Sequence, residues 1–271
     1  MKINHIVVCF LFFFLSFPET VLSYNSEIDS LEIQLKSHKE KDTTRVNILY
    51  DLAYSNFQTD MGLTKTYLKE AEELSSDLNY TRGKAKVNYL KGMLENMKSN
   101  YAASLTYFER SLKHYVTIQD RGRIASVYIA FGINYYDLAR YDDALNFYEK
   151  ATKIYQELGN KRELITSLIN SGNVYSELGR YDIAISNFKK ALTQSVATND
   201  EESISFVQGN LGVVYKLQGS YSLAIDNYNK ILYNNIKTND TLGMALILNA
   251  LGEVCTYTGK YDESLECHKQ S

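Results

Sequence analysis

Leu211-Gly212-Val213-Val214-Tyr215-Lys216-Leu217-Gln218-Gly219-Ser220-Tyr221-Ser222-Leu223-Ala224-Ile225-Asp226-Asn227-Tyr228 is the stretch from which the fold can be read. Apolar residues recur at helical spacing up to Leu217, Gly219 and Ser220 interrupt them, and a second helical series begins with the small Ala224 on its apolar side. The pattern predicts two antiparallel helices joined by a short turn, the first ended by a glycine that takes the left-handed conformation cheaply.

The stretch is one copy of a unit that returns every forty residues. Gly92, Gly132, Gly172, Gly212 and Gly252 keep that step, and nine residues after each stands Tyr101, Tyr141, Tyr181, Tyr221 or Tyr261. Three residues further on come Ser104, Ala144, Ala184, Ala224 and Ser264, each followed by Leu or Ile; four beyond the small residue stand Phe108, Tyr148, Phe188 and Tyr228, with His268 in the last copy. Tyr135, Tyr175 and Tyr215 also recur, with Glu95 and Cys255 departing from the slot. Small slots mark close helix approach, and aromatics fill the remaining gaps. A lone hairpin leaves one apolar face wet, and stacking on the next copy buries it, so the period predicts a one-dimensional helical solenoid.

Composition points the same way. One proline, no tryptophan, 45% hydrophobic and 23% charged residues exclude a disordered chain and a many-turn β architecture. The net charge of −3 and mixed-sign runs such as Lys36, Lys39, Glu40, Lys41 and Asp42 provide no basic footprint for nucleic acid or an anionic membrane. Gly179, Gly219 and Gly259 fall in the turn inside each hairpin, Asp142, Asp182 and Asp262 begin the second helix, and Asn79, Asp120, Asn160, Asp200 and Asp240 mark the turns between hairpins.

At the N-terminus Lys2 precedes the run Ile6 to Phe17, in which Ser16 alone is not apolar. The run is short of the ~20 residues that a membrane helix needs and reads as a secretory signal peptide, 1–23, cleaved between Ser23 and Tyr24. An exported product with a periplasmic or other extracytoplasmic location is expected, with a lead-in over 24–42 and the repeat array over 43–271. Only Cys255 and Cys267 then remain, so stability must come from packing; the two are read as small apolar core residues, with a single bridge between them left open.

The Leu211-Gly212, Tyr215, Ala224, Tyr228 series, with Ala144, Tyr148 and Ala151 and again Ala184, Phe188 and Ala191, resembles the tetratricopeptide repeat (TPR) family. The resemblance implies an all-α fold, a TPR α-solenoid in the form of a right-handed superhelix of antiparallel helix pairs, preceded by the signal peptide. The longer forty-residue variety, as in kinesin light chain and similar adaptors, would add residues near the end of the second helix. The repeats are 43–82, 83–122, 123–162, 163–202, 203–242 and 243–271; the first is degenerate, with Leu52 where glycine belongs, and the last is incomplete.

Such arrays bind protein or peptide segments on a concave face lined by the first helices. The register places Tyr89, Met93, Ile133, Tyr136, Asn170, Asn173, Asn210, Val213, Lys216, Asn249 and Glu253 there. Asn170 and Asn210 share one slot in consecutive repeats, and a side-chain amide can both donate to and accept from an extended peptide backbone. The sequence holds no phosphate loop, paired histidines or nucleophile elbow, so no catalytic residue, metal or cofactor is expected. A signal peptide ahead of such repeats looks like the sensor region of membrane-anchored signalling proteins of Bacteroides-type bacteria, such as sensor histidine kinases. That likeness implies a transmembrane helix and an output domain after Ser271. The alternative is a stand-alone exported scaffold.

Overall fold

The computed structural model describes residues 18–271, with side chains from residue 27 onward. The helices are α1 (Pro18–Ser37), α2 (Thr43–Ser55), α3 (Met61–Asp77), α4 (Thr81–Met97), α5 (Tyr101–Thr117), α6 (Arg121–Asp137), α7 (Tyr141–Leu158), α8 (Lys161–Glu177), α9 (Tyr181–Ala197), α10 (Glu201–Leu217), α11 (Tyr221–Thr238), α12 (Thr241–Tyr257) and α13 (Tyr261–Gln270). No strand occurs among the described residues. The chain forms two compact units, residues 1–90 and 91–271, with the boundary inside α4. The apolar run 6–17 of the expected signal peptide lies outside the described residues; the expected cleavage point at Ser23 and Tyr24 falls on the backbone of α1.

From α4 onward helices begin at twenty-residue steps, so the forty-residue unit is two equal halves. The added length is therefore shared between both helices rather than lodged near the end of the second. The stop signal is the same in every half: Asn79, Ser99, Gln119, Ala139, Gly159, Gly179, Asn199, Gly219, Asn239 and Gly259 all have φ between 48° and 80°. At Ala139 the amide donates to the Tyr136 carbonyl and the Arg140 amide to the Tyr135 carbonyl, both at 2.8 Å. This left-handed closure satisfies carbonyls that the helix end would orphan. The next residue then starts the following helix. Asp120, Asp200 and Asp240 close one helix through their own amides, and their carboxylates cap the next by accepting from the amides of Arg123, Ser203 and Gly243 at 3.2, 3.0 and 2.9 Å. From α5 onward the second helix of each hairpin lacks such a cap; its first residue is the recurrent tyrosine, and Asp142, Asp182 and Asp262 sit one position inside, in the first turn where the helix dipole favours a carboxylate.

In unit 91–271 the glycine and aromatic slots meet each other. A Cβ on Gly92 would lie 2.5 Å from the Phe108 ring, on Gly172 2.6 Å from the Phe188 ring, and on Gly252 2.7 Å from the His268 ring; Gly132 faces Tyr148 and Gly212 faces Tyr228 in the same way. The glycine is required because a ring of the second helix rests on the backbone of the first. The small slot serves the same approach: Ala144, Ala184 and Ala224 are fully buried, and Ser104 and Ser264 donate to the carbonyls of Gly92 and Gly252 at 2.7 and 2.8 Å. A continuous core then runs from Ile165 on α8 through Phe188, Leu211 and Tyr228 to Val254 on α12.

Unit 1–90 solves the same problem with different volumes. Leu52 fills the glycine slot of α2 and Leu68 replaces the aromatic on α3, both almost fully buried, so a leucine pair stands in for the ring and the bare backbone. Arg45 ties the unit together, pairing with Glu70 of α3 at 2.7 Å and donating to the carbonyls of Leu35 and His38 at 3.3 and 2.9 Å, which closes the end of α1.

Two substitutions test this account. Gly172→Ala gains about 1 kcal/mol of helix propensity but overfills the Phe188 contact at a cost of about 1–3 kcal/mol, so denaturant melts should show a net loss. Gly209→Ala, where the nearest atom to a new Cβ is Ile231 Cδ1 at 3.8 Å, should instead stabilise by about 1 kcal/mol. Equal effects at both glycines would refute the ring contact. At the turns, Ala139→Gly relieves a left-handed penalty of about 1–2 kcal/mol against an unfolded-state cost of about 0.4–1 kcal/mol. A rise in melting temperature is the expected outcome, and a fall would contradict the turn geometry.

Candidate functional site

At about 100° per residue, positions 209, 210, 213 and 216 of α10 lie on an arc to one side of Gly212. Leu211 and Tyr215, buried in the core, lie on the other side. The equivalent arc on the first helix of each hairpin, here called the A face, is the one that ring packing leaves uncovered.

The expected groove residues fall on this arc. Met93, Tyr136, Asn170, Asn173, Asn210, Val213 and Lys216 are half-buried, and Ile133, Asn249 and Glu253 are exposed; Tyr89 is half-buried and belongs to unit 1–90. Asn170 and Asn210 hold the same register position on α8 and α10, whereas Asn249 falls in the slot that Gly209 occupies one repeat earlier. Asn210 Nδ2 donates to the Phe206 carbonyl of its own helix at 3.1 Å, which leaves its Oδ1 as an acceptor. The side chains of Asn170, Asn173 and Asn249 have no hydrogen-bond partner among the described residues.

Other residues of the face are spent on holding neighbouring helices in register. Tyr136 on α6 donates from its hydroxyl to Glu177 Oε1 on α8 at 3.4 Å, Asn96 on α4 donates to Asp137 on α6 at 2.9 Å, and Lys216 on α10 pairs with Glu253 on α12 at 2.6 Å. Three of the nominated residues, Tyr136, Lys216 and Glu253, thus make contacts between adjacent first helices. Asn96, Asp137 and Glu177 were not singled out from the sequence, although Asn96 shares the slot of Tyr136 and Lys216, and Asp137 and Glu177 stand forty residues apart in the next one. Such half-exposed pairs contribute little stability, typically below about 1 kcal/mol, but they set which amides and carboxylates face solvent.

The remaining chemistry is structural. His38 lies 2.8 Å from Asp42, and together with Glu40 their ligand atoms fall within 4.8 Å of one another. Asp42 is already the cap of α2, accepting from the Arg45 amide at 3.0 Å. His268 rests on Gly252, and Cys255 and Cys267 are free thiols. Burial raises the phenols of Tyr148 and Tyr228 far above their ordinary value, so both act as neutral rings in the packing. A depression of 390 Å³ lined by Asp182, Ile185, Ser186, Lys189, Lys190 and Thr193 lies on α9, away from the A face. Among the described residues no helix is long and apolar enough to cross a membrane.

The family model for the tetratricopeptide repeat matches residues 84–157 and 163–237, together more than half of the chain. No curated protein sequence matches. Among solved structures, a signal transduction ATPase with numerous domains from Pyrococcus horikoshii, which carries a tetratricopeptide repeat sensor, superposes with a TM-score of 0.74 at 17% identity over 93% of this chain. The chain spans 40% of that protein's length. The Rap conjugation gene regulator of plasmid pLS20, in complex with the Phr* peptide, is similar over 92% of this chain and 73% of its own, with a TM-score of 0.60 and 17% identity. The type IV pilus biogenesis factor PilW is similar over 84% and 92% respectively, at 0.63 and 15%. At these identities the likeness is one of fold.

Proposed function

The chain belongs to the tetratricopeptide repeat family, and from that premise we propose that it is a binding module whose ligand is an extended segment of another protein, held on the A faces of α8, α10 and α12. One observation carries the reading: among the described residues Asn170, Asn173 and Asn249 have no hydrogen-bond partner, and Asn210 uses one donor on its own helix and keeps its Oδ1. An extended peptide presents alternating amides and carbonyls, and a carboxamide satisfies either without regard to sequence. Neighbouring charges are already neutralised by the Lys216 to Glu253 pair, so the face favours backbone over charged side chains. The peptide seen on the similarly folded Rap regulator supports this reading. The module binds and does no chemistry of its own.

On this proposal the segment is exported by the N-terminal signal peptide and serves as the sensory or docking region of a longer signal-transduction protein of the sensor histidine kinase type. The tetratricopeptide sensor within the Pyrococcus ATPase, of which this chain spans two fifths, supports a sensor attached to an output domain. The likeness to PilW, a pilus biogenesis factor, supports the assembly role in the second reading, that of a stand-alone exported scaffold.

Two experiments test these statements. Peptides selected from a phage-displayed library on the wild-type chain should bind an Asn170→Ala, Asn210→Ala double variant about tenfold more weakly or worse, a loss of ~1.4 kcal/mol, with unchanged helicity and melting temperature. Unchanged affinity would remove those asparagines from the site, and failure to select any peptide would overturn the binding reading. Residues 1–30 fused to a reporter enzyme that is active only outside the cytoplasm should give an active reporter in a bacterial host; an inactive one would overturn export.

A further inference from the structure

Cys255 on α12 and Cys267 on α13 are twelve residues apart, at the register positions that Tyr135 and Phe147 hold on α6 and α7. Those two rings stack face to face, 5.5 Å between centroids and 9° between planes. The forty-residue register therefore brings these positions together across the hairpin. In other copies they carry Glu95 and Tyr107, Tyr175 and Asn187, or Tyr215 and Asn227; the last copy puts two thiols there. Both thiols are free, and Cys255 Sγ lies 3.9 Å from Glu263 Oε2 on α13.

We propose that Cys255 and Cys267 form an oxidisable dithiol, a modification site at which a small disulfide donor closes a covalent bond between α12 and α13. The unequal exposure of the two sulfurs sets the order of events. Cys267 is half-buried and reachable, while Cys255 is only 5% exposed. The Cys267 thiolate attacks one sulfur of the donor; the donor's disulfide breaks and its other half leaves as a thiolate. Cys255 then loses its proton to that thiolate and attacks the Cys267 sulfur, expelling the second half of the donor. The new bond joins the two cysteines, and the donor, reduced by two electrons and two protons, departs as two thiols. Burial, then Cys255 and the carboxylates of Glu263 and Glu266, hold the Cys267 thiol above its ordinary pKa, so little thiolate is present at neutral pH and the first step is the slow one.

The bond would add a covalent tie between α12 and α13. Ser264 is the one buried residue of α13, and Tyr261 and Leu265 are 69% and 54% exposed. A link across the turn removes open conformations in which α13 leaves α12. α12 also carries Asn249 and Glu253, so the oxidation state of the pair bears on the order of that end of the A face. The site stands independently of the proposed ligand and of export.

The test uses the full chain treated with oxidised glutathione and digested with trypsin without reduction. Cleavage after Lys260 places the two cysteines on different peptides. The expected result is a joined pair, the peptide ending at Lys260 linked to the one beginning at Tyr261, with a melting temperature a few degrees above that of the reduced chain and slower proteolysis of α13. Cys267→Ser should abolish the link and the shift while keeping the helical spectrum. Separate peptides, each carrying its own glutathione, or links to Cys9 or to a second copy, would overturn the proposal.

Discussion

An aromatic ring seated on a glycine backbone is the contact on which the rest of the structure depends. Where Phe108, Tyr148, Phe188, Tyr228 and His268 lie over Gly92, Gly132, Gly172, Gly212 and Gly252, the two helices of a hairpin come closer than any side chain at the glycine would allow. That separation then dictates the small slot. Ala184 and its equivalents have no room for more than a methyl group, and Ser104 and Ser264 are accepted because their hydroxyls bond the glycine carbonyls. The first hairpin shows the same constraint from the other side, since a leucine in the glycine slot is matched by a leucine where the ring belongs.

The same contact decides where function can sit. Each first helix commits the arc around its glycine and its core residues to its partner, and hairpin stacking buries a second arc, as Val174, Val207 and Val214 show. What remains is the A face. On it Tyr136, Lys216, Glu253, Asn96, Asp137 and Glu177 tie helices together, while Asn170, Asn173 and Asn249 tie nothing. On the proposed function, these polar groups without internal partners would be pre-arranged for a ligand that presents its own polar groups.

Much of this was legible in the residues alone, because a repeat displays each constraint several times. The glycines, tyrosines and small slots identified the hairpin, its turn and its stacking. The half-repeat of twenty residues was less visible, since its marker is a conformation rather than a residue: Ser99, Gln119 and Ala139 take the same positive φ as Gly159 and Gly179. The double duty of Asp120, Asp200 and Asp240 was hidden for a similar reason. An aspartate after a helix reads as a turn, and only the backbone path shows that its carboxylate caps the helix that follows.

Sequence by itself determined the fold class, the hairpin register and the arc that ring packing leaves uncovered, because all three follow from periodicity and side-chain volume, which are properties of the chain in order. Tertiary structure decided the pairings. Whether Lys216 is a free cation or Glu253's partner, and whether Tyr136 stands alone or meets Glu177, depend on distances between helices, and those follow from how each ring settles onto its glycine.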